Sequence, residues 1–177
     1  MEIEIDMMTD ILTMGKNART ASRSLGKLGT NKKNEVLLAV AEAIRANADY
    51  ILGENHKDVE QGKADGMKSG LLDRLTLTKA RIDGMADGVN QVAGLDDPVG
   101  EVLSMKKRPN GLLIGKKRVP FGVIAVIYES RPNVTLDTFG LCFKTGNAVI
   151  LKGGSDAINS NIAIANVIRE SLKTNGI

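Results

Sequence analysis

Lys152-Gly153-Gly154-Ser155 puts a full positive charge, two residues without side chains and a hydroxyl in four consecutive positions. Glycines let a backbone approach a ligand closely. A helix starting just after them would offer unpaired N–H groups and the positive end of its dipole. That combination suits a phosphate or a ribose. The same residues also read as an ordinary turn between strand and helix, with Ser155 or Asp156 as helix cap. The pattern is neither a Walker A loop nor GxGxxG. A second polar group, Ser130-Arg131-Pro132-Asn133, offers an arginine suited to gripping a carboxylate or phosphate in a bidentate fork. Without a ligand it reads as a polar loop whose Asn133 caps a helix beginning at Val134.

A nucleophile is harder to find. Cys142 lies in the apolar stretch Phe139-Gly140-Leu141-Cys142-Phe143, within a predicted helix body, and reads as a buried structural thiol. His56, between Asn55 and Lys57, reads as a surface residue rather than a catalytic base. One Cys and one His exclude an internal disulfide framework, a multi-Cys metal site and a His-rich centre. The single thiol suits a reducing cytoplasm. No apolar run reaches the ~18 residues of a membrane span, and the acidic start Met1–Asp6 is unlike a signal peptide.

The elements that position these groups follow from hydrophobic spacing. Met8, Ile11, Leu12, Ala18, Leu25 and Leu28 recur at helical intervals, with Gly29 as the expected stop. Thr30 is the expected cap of a second helix with the apolar face Val36, Leu37, Val40, Ala41 and Ile44. Asn47 to Asp49 interrupt it, and a loop is expected from Gly62 to Gly70. Thr78 reads as the cap of a helix ending at Gly94, with Leu77 and Ile82 spaced as a hydrophobic staple. Glu101–Arg108 and Leu112–Val119 flank Pro109-Asn110-Gly111 and predict a hairpin. From Gly122 the pattern is β/α: the apolar runs Gly122–Tyr128 and Ala148–Leu151 are expected to be strands buried on both faces, each followed by a helix. Ligands bind beyond the carboxyl ends of such strands, where both polar groups fall.

Charge is divided unevenly. Of 177 residues, 1–100 carry 13 basic and 16 acidic groups, whereas 101–177 carry 11 basic and 5 acidic. The basic half suits an anionic ligand. Its aromatics, Phe121, Tyr128, Phe139 and Phe143, sit within apolar runs rather than on an evident stacking face, so nucleic-acid binding is the weaker use of that charge. Lys106, Lys107, Arg108, Lys116, Lys117 and Arg118 all fall on the hairpin, as ligand contacts or as a solvated arm. Two parallel strands do not complete a doubly wound sheet, so a truncated larger protein is expected. On that reading Val149, Ile150, Leu151 and the helix face of Ile162, Ile164, Val167 and Ile168 would lack cover.

LLDRLTLT (71–78), ARI (80–82), DDPVGEV (96–102), RPNGL (108–112), VPFGVIAVIYESRPNVT (119–135) and KTGNAVILKGGSDA (144–157) closely resemble the gamma-glutamyl phosphate reductase family. Its members, also called glutamate-5-semialdehyde dehydrogenases, fall in the aldehyde dehydrogenase superfamily. The resemblance runs from about Ala18 to Asn175 and covers less than half of the family's length. It implies an α/β fold with N-terminal helices, a β-hairpin arm and the first βαβα part of a parallel-sheet cofactor domain. In these terms 1–100 is the N-terminal helical segment of the cofactor domain. Residues 101–119 are a basic hairpin of the oligomerisation type, and 120–177 begin a Rossmann-like NADP-binding domain.

The activity implied is NADPH-dependent reduction of L-glutamyl 5-phosphate to L-glutamate 5-semialdehyde with phosphate release, in proline biosynthesis. In that chemistry a cysteine thiolate displaces phosphate and the thioester accepts hydride. The cysteine belongs to a downstream domain, Cys142 does not match its motif, and this chain alone is expected to be inactive. By the same resemblance Lys152 contacts the adenosine ribose or its 2′-phosphate, with Gly153, Gly154 and Ser155 beside it. Small residues there, where a glutamate is common in the superfamily, favour NADP over NAD. Ser130, Arg131 and Asn133 fall near the loop that contributes an oxyanion-hole asparagine. A homo-oligomer is implied, with no nucleic acid, membrane or metal. The alternative is a non-enzymatic module that binds an anion, a nucleotide or a partner.

Overall fold

The computed structural model describes the backbone from Glu2 to Ile177 and side chains from Asp10 onward. Met1 and the side chain of Met8, expected on the first apolar face, lie outside the described residues. Five helices come first: α1 (Glu2–Leu25), α2 (Thr30–Ala46), α3 (Ala48–Ala64), α4 (Ser69–Leu75) and α5 (Lys79–Gly94). A hairpin of β1 (Val102–Lys107) and β2 (Leu113–Lys117) follows. The chain continues through β3 (Val123–Ile127), α6 (Asn133–Lys144), β4 (Ala148–Lys152), a 3-10 turn (Ser155–Ala157) and α7 (Ile158–Thr174).

The helical face of α2 is as expected: Val36, Leu37, Val40, Ala41 and Ile44 are all fully buried. They join Ile82, Met85, Ala86 and Val89 of α5, Leu136, Phe139 and Phe143 of α6, and Ile164, Val167 and Ile168 of α7 in one core. Burial of each of the larger side chains among them is worth about 1.5–3 kcal/mol. One core therefore spans both sides of the hairpin. Cover for α7 comes from α2 and α3. Ile164, Val167 and Ile168 are accordingly buried, contrary to expectation, and only Ile162 of that group is open.

Helix ends show where local chemistry decided and where tertiary contacts did. Thr78 caps α5 by accepting from Arg81 N at 3.2 Å, and both staple residues, Leu77 and Ile82, are buried. Asn47 ends α2 and begins α3. Gly29, expected to stop the first helix, is instead the cap residue of α2, and Thr30 lies inside that helix. Its hydroxyl donates to Asp97 Oδ2 at 2.9 Å, a partner 67 residues away that spacing cannot reveal. The expected loop at 62–70 shrinks to Asp65–Lys68, because α3 runs on to Ala64 and α4 starts at Ser69.

Below the core lies a buried ionic clamp. Lys33, 1% exposed, pairs with Asp97 and donates to the main-chain carbonyl of Lys144 at 3.1 Å. Lys144, itself buried, donates to Asn34 Oδ1 at 2.6 Å and to the carbonyl of Ala93 at 2.8 Å. Burial alone pushes the Asp97 carboxyl up. Hydrogen bonds from Lys33, Val99 and Thr30, with the Lys33 charge, outweigh it and hold the group below its ordinary value. Burial, in turn, pulls the Lys144 ammonium down.

The hairpin pairs antiparallel, Lys107 opposite Leu113, and turns at Arg108–Gly111, where Gly111 takes φ 86°. Every residue of both strands is exposed. β3 and β4 form a separate parallel pair. They are not buried on both faces as their apolar composition suggested: Ile127 is 81% exposed and Val149, Ile150 and Leu151 are half-buried. A two-stranded sheet has two open edges, and here α1 lies against it beside the strands while α6 packs on β4. Among the described residues no helix is long and apolar enough to cross a membrane.

Candidate functional site

Parallel pairing in register, Val123 with Ala148 through Ile127 with Lys152, puts the carboxyl ends of β3 and β4 side by side. The two polar segments singled out from sequence therefore meet. Ser130 Oγ donates to Asp156 Oδ2 at 2.7 Å. Gly154 lies so close to the other loop that a side chain there would fall 3.4 Å from the Glu129 carbonyl carbon and 3.5 Å from Ser130 N. Lys152, at the last position of β4, is exposed, while Gly153 and Gly154 are half-buried and Ser155 is exposed. Arg131 is exposed and has no side-chain partner among the described residues.

Two details differ from the sequence reading. Asn133 does not cap α6: Pro132 holds the cap position, Asn133 is the first helical residue, and its Nδ2 donates to Asp137 Oδ2 at 3.0 Å. Burial pushes the Asp137 carboxyl up, against that hydrogen bond. The α7 terminus is not open to a ligand either, and neither Ser155 nor Asp156 caps it. Asp58, buried on α3, accepts from Asn159 N at 3.2 Å and from Ser160 N at 2.8 Å. A carboxylate thus already occupies the positive helix end. The cations this site presents outward are Lys152 and Arg131.

Beneath the loops runs a polar chain that spacing did not reveal. Tyr128 Oη and Thr135 Oγ1 lie 2.6 Å apart, and Thr135 Oγ1 donates to Asn161 Oδ1 at 2.9 Å. Asn161 is 8% exposed and its Nδ2 has no partner. Burial raises the Tyr128 phenol above its ordinary value, keeping it protonated. The signal available in the sequence was a polar residue inside an apolar periodic stretch. Asn161 stands at helical spacing with Ile164 and Ile168 on the buried face of α7, just as Asn55 and Asp58 stand on the buried face of α3 with Ile51 and Val59. Asn55 holds Leu75 O at 2.8 Å, Ser160 Oγ at 2.9 Å and Leu77 N at 2.7 Å, tying α3 to α7 and to the segment before α5.

Cys142 is buried on α6, and burial pushes its thiol up, away from the nucleophilic thiolate. His56 is exposed. Among the described residues no group of three His, Cys, Asp or Glu side chains is arranged to hold a metal ion.

No family model matches the chain. It is 61% identical over 170 residues to the gamma-glutamyl phosphate reductase of Lachnospira eligens, an alignment covering 96% of this chain and 41% of that protein. The crystal structure of gamma-glutamyl phosphate reductase from Thermotoga maritima superposes with a TM-score of 0.92 at 46% identity, covering 94% of this chain and 40% of that one. An acetylating aldehyde dehydrogenase from Geobacillus thermoglucosidasius, 15% identical, shares the fold with a TM-score of 0.73 over 98% of this chain and 36% of its own. The chain spans about two-fifths of the length of the curated relatives it matches. It is therefore homologous to the N-terminal part of gamma-glutamyl phosphate reductase, and it carries the corresponding part of the aldehyde dehydrogenase fold.

Proposed function

We propose that this sequence forms the cofactor-binding portion of an NADPH-dependent gamma-glutamyl phosphate reductase, an oxidoreductase of proline biosynthesis acting in the cytoplasm. The whole enzyme reduces L-glutamyl 5-phosphate to L-glutamate 5-semialdehyde and releases phosphate. The observation that carries this reading is the meeting of the 128–133 and 152–156 loops beyond the carboxyl ends of β3 and β4, with the Lys152 ammonium exposed beside two glycines. These residues fit a dinucleotide end: an open cation for a 2′-phosphate, a turn without bulk at 153 and 154, and no helix terminus left to compete.

Bound there, the cofactor supplies hydride. This chain's residues bind and orient it. Lys152 holds the ribose or 2′-phosphate, with Gly153, Gly154 and Ser155 forming the wall. Asp156 is kept turned toward Ser130 by their hydrogen bond, which limits its repulsion of a phosphate. Ser130, Arg131 and Asn133 border the substrate side of the same crevice. Residues 1–100 and 120–177 act as one cofactor-binding unit, a reading supported by their common core. Residues 101–119 serve as an arm for homo-oligomerisation, supported by strands whose apolar Val102, Leu103, Met105, Leu113 and Ile114 stand exposed. The buried Cys142 is structural, so residues 1–177 alone turn over no substrate.

In the full-length enzyme Lys152→Ala raises the KM for NADPH more than that for NADH. A charge-assisted hydrogen bond to the 2′-phosphate is worth about 1.5–3 kcal/mol, or roughly 10- to 150-fold. Steady-state kinetics with both cofactors measures this. An equal loss for the two would assign Lys152 to the part they share.

A further inference from the structure

The Asn161 side chain is more than nine-tenths buried, yet half of its amide is idle. Thr135 uses its oxygen, and its Nδ2 has no acceptor. That nitrogen is aimed at the candidate cofactor turn: a methyl group on Gly153 would fall 2.2 Å from Asn161 Nδ2 and 3.2 Å from Tyr128 Cε2. Gly153 thus lies flat on the Asn161 amide and the Tyr128 ring, which leaves no room for any side chain at 153. Buried donors are normally matched, and one left unmatched destabilises the state in which it is left. The groups that face this donor belong to a main chain of two consecutive glycines, whose peptide units rotate without side-chain clash.

We propose that Asn161 is the positioning residue of the Lys152–Ser155 turn. When the adenosine ribose end of a dinucleotide seats on the outer side of the turn, a main-chain carbonyl of the turn rotates inward to accept from Asn161 Nδ2. The neighbouring N–H then faces the ligand. The inference rests on the cofactor reading of this turn. It adds a residue that never touches the ligand and acts through the backbone. Because the backbone is common to every ligand that fills the ribose position, Asn161 affects nucleotides with and without a 2′-phosphate equally. Lys152 discriminates between them.

The test uses the full chain, with 2′,5′-ADP and AMP titrated calorimetrically into wild type, Asn161→Ala, Asn161→Asp and Lys152→Ala. Both Asn161 variants are expected to bind each nucleotide about tenfold more weakly, the effect of one hydrogen bond. Lys152→Ala is expected to weaken 2′,5′-ADP alone. In wild type labelled with 15N-asparagine, the Asn161 side-chain amide signals shift downfield on addition of 2′,5′-ADP. This readout needs no substitution, and so decides the matter even where a variant fails to fold. Unmoved signals with the nucleotide bound, or folded Asn161 variants that bind like wild type, overturn the role of Asn161 and leave the cofactor reading standing. Failure of wild type to bind either nucleotide overturns the cofactor reading, and this proposal with it.

Discussion

The two ends of α6 hold buried polar groups of opposite character. At its last turn Lys144 meets Lys33, Asp97, Asn34 and the carbonyl of Ala93, and every described side-chain donor is matched. At its first turn, about 14 Å away along the helix, Thr135 joins Tyr128 to Asn161, where a donor stays unmatched. The first set is ionic and closed. It locks α2, α5 and α6 and anchors the root of the hairpin through Asp97. The second is neutral and open on one side, and that side faces the crevice at the strand ends. Bonding capacity is spent where shape must persist and kept in reserve where a ligand is expected.

The largest expected effect lies at the closed end. Asp97→Ala leaves the Lys33 charge buried without its carboxylate, and breaking such a pair costs about 3 kcal/mol. Urea unfolding at neutral pH measures the loss. A change below about 1 kcal/mol would mean that the carbonyl of Lys144 suffices for Lys33.

Acid sharpens the same contrast. Asp97 has a folded-state pKa below its ordinary value. Its contribution is therefore complete above the unfolded value of about 3.9 and disappears as pH falls through the lower folded value. Wild type is expected to lose stability below about pH 4 more steeply than Asp97→Asn. Thermal melts across that range check this, and parallel curves would remove Asp97 from the account.

The smallest effect is expected at the open end. Asn161→Ala gives up the bond from Thr135 but also removes an orphaned donor. Its unfolding free energy should stay within about 1 kcal/mol of wild type even where nucleotide affinity drops. A loss as large as that of Asp97→Ala would make the two ends alike.

The α/β architecture, the hairpin and the position of both candidate loops were legible from periodicity, turn residues and the family motifs. The apolar face of α2 and the Thr78 cap are local signals, carried by residues a few positions apart. What escaped was set at long range. Thr30 bonds Asp97 rather than capping its helix, because a carboxylate is presented to it from the far end of α5. Asp58 caps a helix 101 residues downstream, so the α7 terminus looked open from its own sequence. Strand burial was misjudged because apolar composition reports what a strand can cover, not whether neighbours are there. Asn161 was visible only as a polar residue at core spacing with Ile164 and Ile168, and its meaning depends on Gly153 lying over it.

The dependence of α7 on Asp58 and Asn55 has a consequence for synthesis. The buried carboxylate of α3, and the part of the α2 face that α7 covers beside α5, stay uncovered until α7 has been made, more than 100 residues later. At about 5–20 residues per second, that is roughly 5–20 s during which a half-built core faces solvent. Helices α2 to α5 must spend this interval in provisional contact with one another or with a chaperone. The arrival of Ser160, which bonds Asp58 and Asn55 together, is the event that ends it.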